Sequence, residues 1–129
     1  MNRVTYRITA STLYLISLLP FPVLYFFSDI LYILLYYILK YRRKVVSNNL
    51  LNSFPEKTKS ELELIEKRFY RYLADLMLES VKTISISANE IKKRFVFKNL
   101  DLLTKHLQNG RSVIAVSGHY GNWEWGPVA

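Results

Sequence analysis

The chain has 129 residues, with 18 Lys and Arg against 10 Asp and Glu for a formal charge of +8; half of it is apolar and 15% aromatic. That length allows one small domain, and ten Tyr, seven Phe and two Trp separate it from the aromatic-poor composition of disordered chains. The absence of cysteine excludes a disulfide scaffold, thiol catalysis and thiolate metal sites. Having only His106 and His119 argues against a multi-histidine metal centre.

Between Thr12 and Leu39 the single charge is Asp29, so 28 consecutive residues have the polarity of a bilayer-embedded stretch, for which about 18 to 20 suffice. The stretch is too long and too aromatic for a signal peptide, and basic residues follow it in place of a cleavage site; a retained anchor is expected. Pro20 and Pro22 break it, since proline removes a backbone donor and clashes with the preceding turn. The second piece, Val23 to Leu39, reaches roughly 25 Å at about 1.5 Å per residue, and both a kinked span and a re-entrant anchor in one leaflet fit it. Arg3 and Arg7 lie before the stretch, and Lys40, Arg42, Arg43 and Lys44 after it. The larger cluster points to the cytoplasmic side and suits an anionic membrane surface.

Residues 1–44 hold six basic residues and one acidic, net +5, whereas residues 45–129 hold twelve and nine, net +3. The basic excess therefore belongs to the membrane end: residues 1–44 read as an anchor with a basic flank and residues 45–129 as the soluble part. A nucleic-acid partner is not expected, because Lys92, Lys93, Arg94 and Lys98 fit a solvated face or a lipid-phosphate contact better than a basic face interleaved with aromatics.

In the soluble part, Asn52-Ser53-Phe54-Pro55 ends a membrane-proximal helix and Thr58-Lys59-Ser60-Glu61 offers a capping box. The spacing of Leu62, Ile65, Phe69, Leu73 and Leu76, widened by Leu64, Tyr72 and Met77, predicts an amphipathic helix from about Lys59 to Lys82 with Glu63, Lys67, Arg71 and Asp75 outward. Ser87 opens a short helix to about Lys93, and Phe95-Val96-Phe97 reads as a strand. Asn99 is placed to cap a helix Leu100 to Gln108, with Gly110 as its left-handed C-cap. Ser112-Val113-Ile114-Ala115-Val116 reads as a strand buried on both faces. Strand, helix and buried strand predict an α/β domain.

Ser117-Gly118-His119-Tyr120-Gly121-Asn122-Trp123-Glu124-Trp125 follows that strand, where an α/β sheet places its chemistry. A histidine there can take a proton from a hydroxyl, and a carboxylate on its other nitrogen fixes the tautomer and stabilises the imidazolium. Glu124 is the nearby candidate. Five residues turn about 500° on an ideal helix, leaving the two side chains some 140° apart, so a turn must intervene. Gly118 and Gly121 permit it, with Pro127 starting the next helix. The bland alternative is a structural histidine on a loop.

Gly118-His119-Tyr120-Gly121-Asn122-Trp123-Glu124 resembles the H-x4-D/E motif of the glycerolipid acyltransferase superfamily, and most of all the lipid A biosynthesis lauroyl and myristoyl transferases. The resemblance extends upstream, in order, through Leu19-Pro20, Arg43 with Asn49-Leu50, Phe54-Pro55-Glu56, Glu61 and Glu79. It implies an enzyme of the inner membrane, its soluble part cytoplasmic, that moves a fatty acyl group from acyl carrier protein to a hydroxyl of a lipid A precursor. His119 would be the base, Glu124 its orienting acid and Asn122 and Trp123 substrate contacts, with no metal or bound cofactor required. Family members continue well beyond this motif, so the resemblance also implies that the 129 residues are the N-terminal part of a longer enzyme and inactive alone. Two other readings stand beside it: an acyltransferase for another lipid acceptor, such as a lysophospholipid or an amino-acid lipid, and a non-catalytic membrane-anchored interaction protein.

Overall fold

The computed structural model describes residues 2–116 and 118–128, with only the backbone of Val128. They fold as two compact units, Met1–Ser85 and Ile86–Ala129, each built of helices separated by prolines, caps and left-handed residues.

In the first unit, α1 (Arg3–Ser17) begins where the Asn2 side chain accepts the Val4 N–H at 3.3 Å. It stops before Pro20, which serves as the N-cap of α2 (Phe21–Ile33). From α2 the backbone continues into a π-helical turn, Leu34–Ile38, closed by the Leu39 N–H on the Leu34 carbonyl at 2.8 Å and the Tyr41 N–H on the Leu35 carbonyl at 2.9 Å. The Leu35–Tyr41 closure encloses Lys40, which is left-handed at φ 48°, the conformation glycine usually supplies where a helix ends. Arg42, also left-handed at φ 51°, leads into α3 (Arg43–Ser53).

The predicted capping box is present: Thr58 and Glu61 bond reciprocally and open α4 (Lys59–Lys82). Packed along α2 in the opposite direction, α4 contributes Tyr70 and Ala74 to a core with Tyr32, Leu35 and Tyr36, whose Tyr36 and Tyr70 rings meet edge to face at 5.3 Å. The buried row of α4 is Leu62, Glu66, Tyr70 and Ala74, whereas Phe69, Tyr72 and Met77 of the expected stripe stand 40–45% exposed.

The physical reason is that α2, though apolar, offers hydroxyls. Tyr25 donates to Glu79 at 2.8 Å and Ser28 to Asp75 at 2.5 Å, while Arg71 pairs with Asp29 at 3.7 Å. Hydrogen bonds to charged acceptors outweigh neutral ones, so Asp75 and Arg71, expected outward, turn toward α2. At the far end Lys82 donates to the carbonyls of Ser17 and Leu19 at 2.7 and 2.8 Å, and the Ser85 hydroxyl adds a bond to Ser17 at 2.6 Å.

In the second unit, Ser87 caps α5 (Ala88–Arg94) through the Glu90 N–H at 3.2 Å. Then α6 (Leu100–Gln108) follows Asn99, which is left-handed at φ 58° and makes no side-chain capping bond; Gly110, at φ 69°, closes it as expected. A 3-10 helix, Trp123–Val128, contains Pro127. Ile91 and Trp125 are buried, and the Phe95 ring lies so close to Gly126 that a Cβ there would meet it at 3.2 Å.

The α/β expectation is overturned: helix accounts for 71% of the structure, with no strand or sheet among the described residues. Phe95 is extended and Phe95–Phe97 carries no ladder; residues 111–116 have no regular structure, with Ile114 and Val116 88% and 92% exposed. β-propensity only measures fit to a pleated, half-buried surface, and a strand needs a neighbouring backbone to take its N–H and C=O groups. These two runs make no backbone hydrogen bond to each other. Ser117 lies outside the described residues.

Candidate functional site

The motif loop lies in the second unit. Gly121 adopts φ 68°, supplying a turn that a side chain would strain. The Tyr120 N–H bonds the Gly118 carbonyl at 2.9 Å and the Trp125 N–H the Asn122 carbonyl at 3.1 Å, folding the segment back before the 3-10 helix begins at Trp123. Pro127 therefore sits inside that helix rather than starting it, and Glu124 falls in its first turn rather than in the connection.

His119 is exposed and packs edge to face on Trp123 with ring centroids 4.4 Å apart. That contact restrains the imidazole on a side chain that stays exposed. The fold brings together His119 and Trp123; no hydrogen bond joins His119 to the exposed Glu124. Asn122 is half-buried, its Oδ1 fully so. Among the described residues no cluster of His, Cys, Asp and Glu could hold a metal ion.

The second set of expected residues lies in the first unit. Lys40, Arg42, Arg43 and Lys44 line a cavity of about 520 Å³ with Ser47 and Asn48. Arg43 is the anchored member: its Nε donates to Glu66 at 2.8 Å and its Nη2 to the Tyr36 hydroxyl at 3.1 Å, with the guanidinium 4.2 Å from the Tyr36 ring centre. Ser47 donates to the other Glu66 oxygen at 3.0 Å. The Glu66 hydrogen bond raises the Arg43 pKa further, and burial pushes up that of Tyr70 on the neighbouring turn. Lys40, Arg42 and Lys44 have no ion-pair partner among the described residues and stand exposed.

Sequence reasoning missed Glu66, Ser47 and Tyr36 as the frame that holds Arg43. The available signal was Glu66 itself, the one charge in the four-residue row Leu62, Glu66, Tyr70, Ala74. Within the first unit, Phe21–Ile38 is the one helical stretch among the described residues long and apolar enough to cross a membrane, with mean hydropathy 1.7; it ends beside the basic cavity.

A protein-family model described as bacterial lipid A biosynthesis acyltransferase matches residues 2–128, which takes in both the apolar helix and the motif loop. The chain belongs to that family, and its kind of function is acyl transfer in lipid A biosynthesis. No curated protein and no solved structure matches the chain.

Proposed function

We propose that the chain serves an acyltransferase that moves a fatty acyl group from acyl carrier protein to a hydroxyl of a lipid A precursor at the cytoplasmic face of the inner membrane. The observation that carries this reading is the family match over residues 2–128, with His119 and Glu124 at the motif spacing. His119 takes the proton of the acceptor hydroxyl as the oxygen attacks the thioester carbonyl carbon; the thiolate then leaves and receives that proton from the imidazolium, giving ester and free thiol. Glu124 orients and stabilises the imidazolium, reaching it as the loop closes on substrate. Catalytic hydrogen bonds are often unformed in the free enzyme. Asn122 and Trp123, just after the Gly121 turn, contact substrate, Trp123 already packing on the His119 ring.

Lys40, Arg42, Arg43 and Lys44 meet lipid phosphate, each exposed cation contributing about 1 kcal/mol near an anionic surface. Supporting this is the left-handed backbone at Lys40 and Arg42: non-glycine residues there carry about 1 to 2 kcal/mol of strain, a cost retained where charge is needed. The test is an acyl-transfer assay with acyl carrier protein as donor and a lipid A precursor as acceptor, comparing the enzyme in its full natural length with its His119→Ala variant. Transfer that survives the substitution unchanged would sink the assignment.

A further inference from the structure

The polar rungs between α2 and α4 say how the apolar helix meets the membrane. Rungs run along Phe21–Ile38 and past both its ends: Lys82 at the Ser17 and Leu19 carbonyls before it, Glu79 on Tyr25, Asp75 on Ser28 and Arg71 beside Asp29 within it, and Arg43, just after it, bonding both Glu66 of α4 and Tyr36 of the π turn. Ten of the 24 residues of α4 are charged, so α4 cannot enter hydrocarbon. If α2 crossed the bilayer, it would either drag those charges inside or break every rung. The opposite face of α2 and the π turn carries Phe26, Phe27, Ile30, Ile33, Leu34, Tyr37 and Ile38, all 37–66% exposed, bordered by the exposed Asp29–Arg71 pair.

We propose that the first unit sits on one leaflet of an anionic bilayer, with α2 lying along the interface, its aromatic and aliphatic face among the acyl chains and α4 on the water side. The occupant of that face is lipid: the apolar face is continuous along 18 residues, and the unpaired Lys40, Arg42 and Lys44 at its end complement anionic headgroups. This deepens the membrane reading above and rests on it, choosing the one-leaflet anchor over the kinked span.

Because the chain has no cysteine, single cysteines report topology without background. Thr5→Cys and Asn52→Cys are exposed positions that precede and follow the Phe21–Ile38 stretch, and would be labelled with a membrane-impermeant maleimide in sealed inner-membrane vesicles of either orientation. Both are expected to label from the same side; labelling from opposite sides would overturn the one-leaflet seating while leaving the membrane reading intact. In a second arm, nitroxides at Phe26, Ile30, Ile33 and Tyr37 report depth in phosphatidylcholine–phosphatidylglycerol vesicles. Uniform shallow depth is expected, and a profile deepest at Ile30 and Ile33 overturns the proposal even if one cysteine variant misfolds. Protein that fails to float with vesicles and stays out of the membrane fraction would remove both readings together.

Discussion

The ammonium of Lys82 donates to the backbone carbonyl of Ser17 at 2.7 Å across 65 positions of sequence, and to Leu19 as well. The last carbonyls of α1 have no helical partner, and Pro20 brings no N–H to satisfy them. Lys82 is thus the clasp between the first helix and the long fourth one. Lys82→Met should cost about 1.5 to 3 kcal/mol, the range for a hydrogen bond to a charged group, and open Leu18–Pro20 to protease. Thermal melting and limited proteolysis check this; equal melting and equal cutting would mean the clasp is idle.

Glu66 is nearly buried beside an Arg43 that is one-third exposed. Glu66→Ala leaves Arg43 and Ser47 without their shared acceptor and should cost about 3 kcal/mol, near the lower end for breaking a buried pair because Arg43 still reaches water. The double change Arg43→Leu with Glu66→Leu should recover most of that loss. A double variant as unstable as the single one would show that packing, not the charge, sets the cost.

Acid stability follows from two carboxylates in the first turns of their helices, Glu61 in the α4 capping box and Glu90 paired with Lys93 and Arg94 in α5. The backbone N–H and hydroxyl of Thr58 hold the Glu61 pKa below 4.5, and the Arg94 and Lys93 bonds do the same for Glu90. A depressed folded pKa means that the contribution is fully present above the unfolded value and fades as pH falls through the folded one. Helicity should therefore hold from neutral pH down to about 4.5 and decline below it. Glu61→Gln should flatten that decline in the part contributed by α4, followed by circular dichroism against pH.

Lys40 and Arg42 separate stability from membrane contact. Replacing each with glycine relieves a left-handed conformation and should raise stability by about 0.5 to 1 kcal/mol apiece, net of the added freedom of the unfolded chain. The same changes should weaken binding to anionic vesicles about five- to tenfold per charge at low salt. A variant that melts higher and floats with vesicles undiminished would mean the cations have no membrane role.

In the acyl-transfer assay, His119→Ala should lower turnover by about 100- to 10,000-fold, the usual worth of a positioned base. Glu124→Gln should lose less, because the base itself is still present. If Glu124→Gln is silent, the orienting acid is another residue.

Local grammar was legible in the sequence. The Thr58–Glu61 box opened α4 at Lys59, Ser87 capped α5, and Pro20 divided the apolar stretch, because caps and breakers act within one turn; α6 starts after Asn99 without the expected side-chain capping bond. Partnership was not. The β-prone runs around Phe95 and Val113 have strand chemistry, but a sheet is decided by a second backbone that no local pattern specifies. The buried side of α4 also escaped, since Asp75 and Glu79 turn inward only because Ser28 and Tyr25, 47 and 54 positions away, present hydroxyls to them. In the motif, the residue types and spacing pointed to His119 and Glu124, while the His119–Trp123 ring contact could not be read before the Gly121 turn was seen.

The uncovered run Ser112–Val116 carries a handling consequence. It is β-prone, uncharged and proline-free, with its backbone amides unspent, the composition that lets identical segments stack between copies. A charge at its most exposed positions, as in Ile114→Lys or Val116→Lys, should keep concentrated preparations clear and thioflavin-negative for longer than the parent chain, so solution work on this protein is best begun from such a variant.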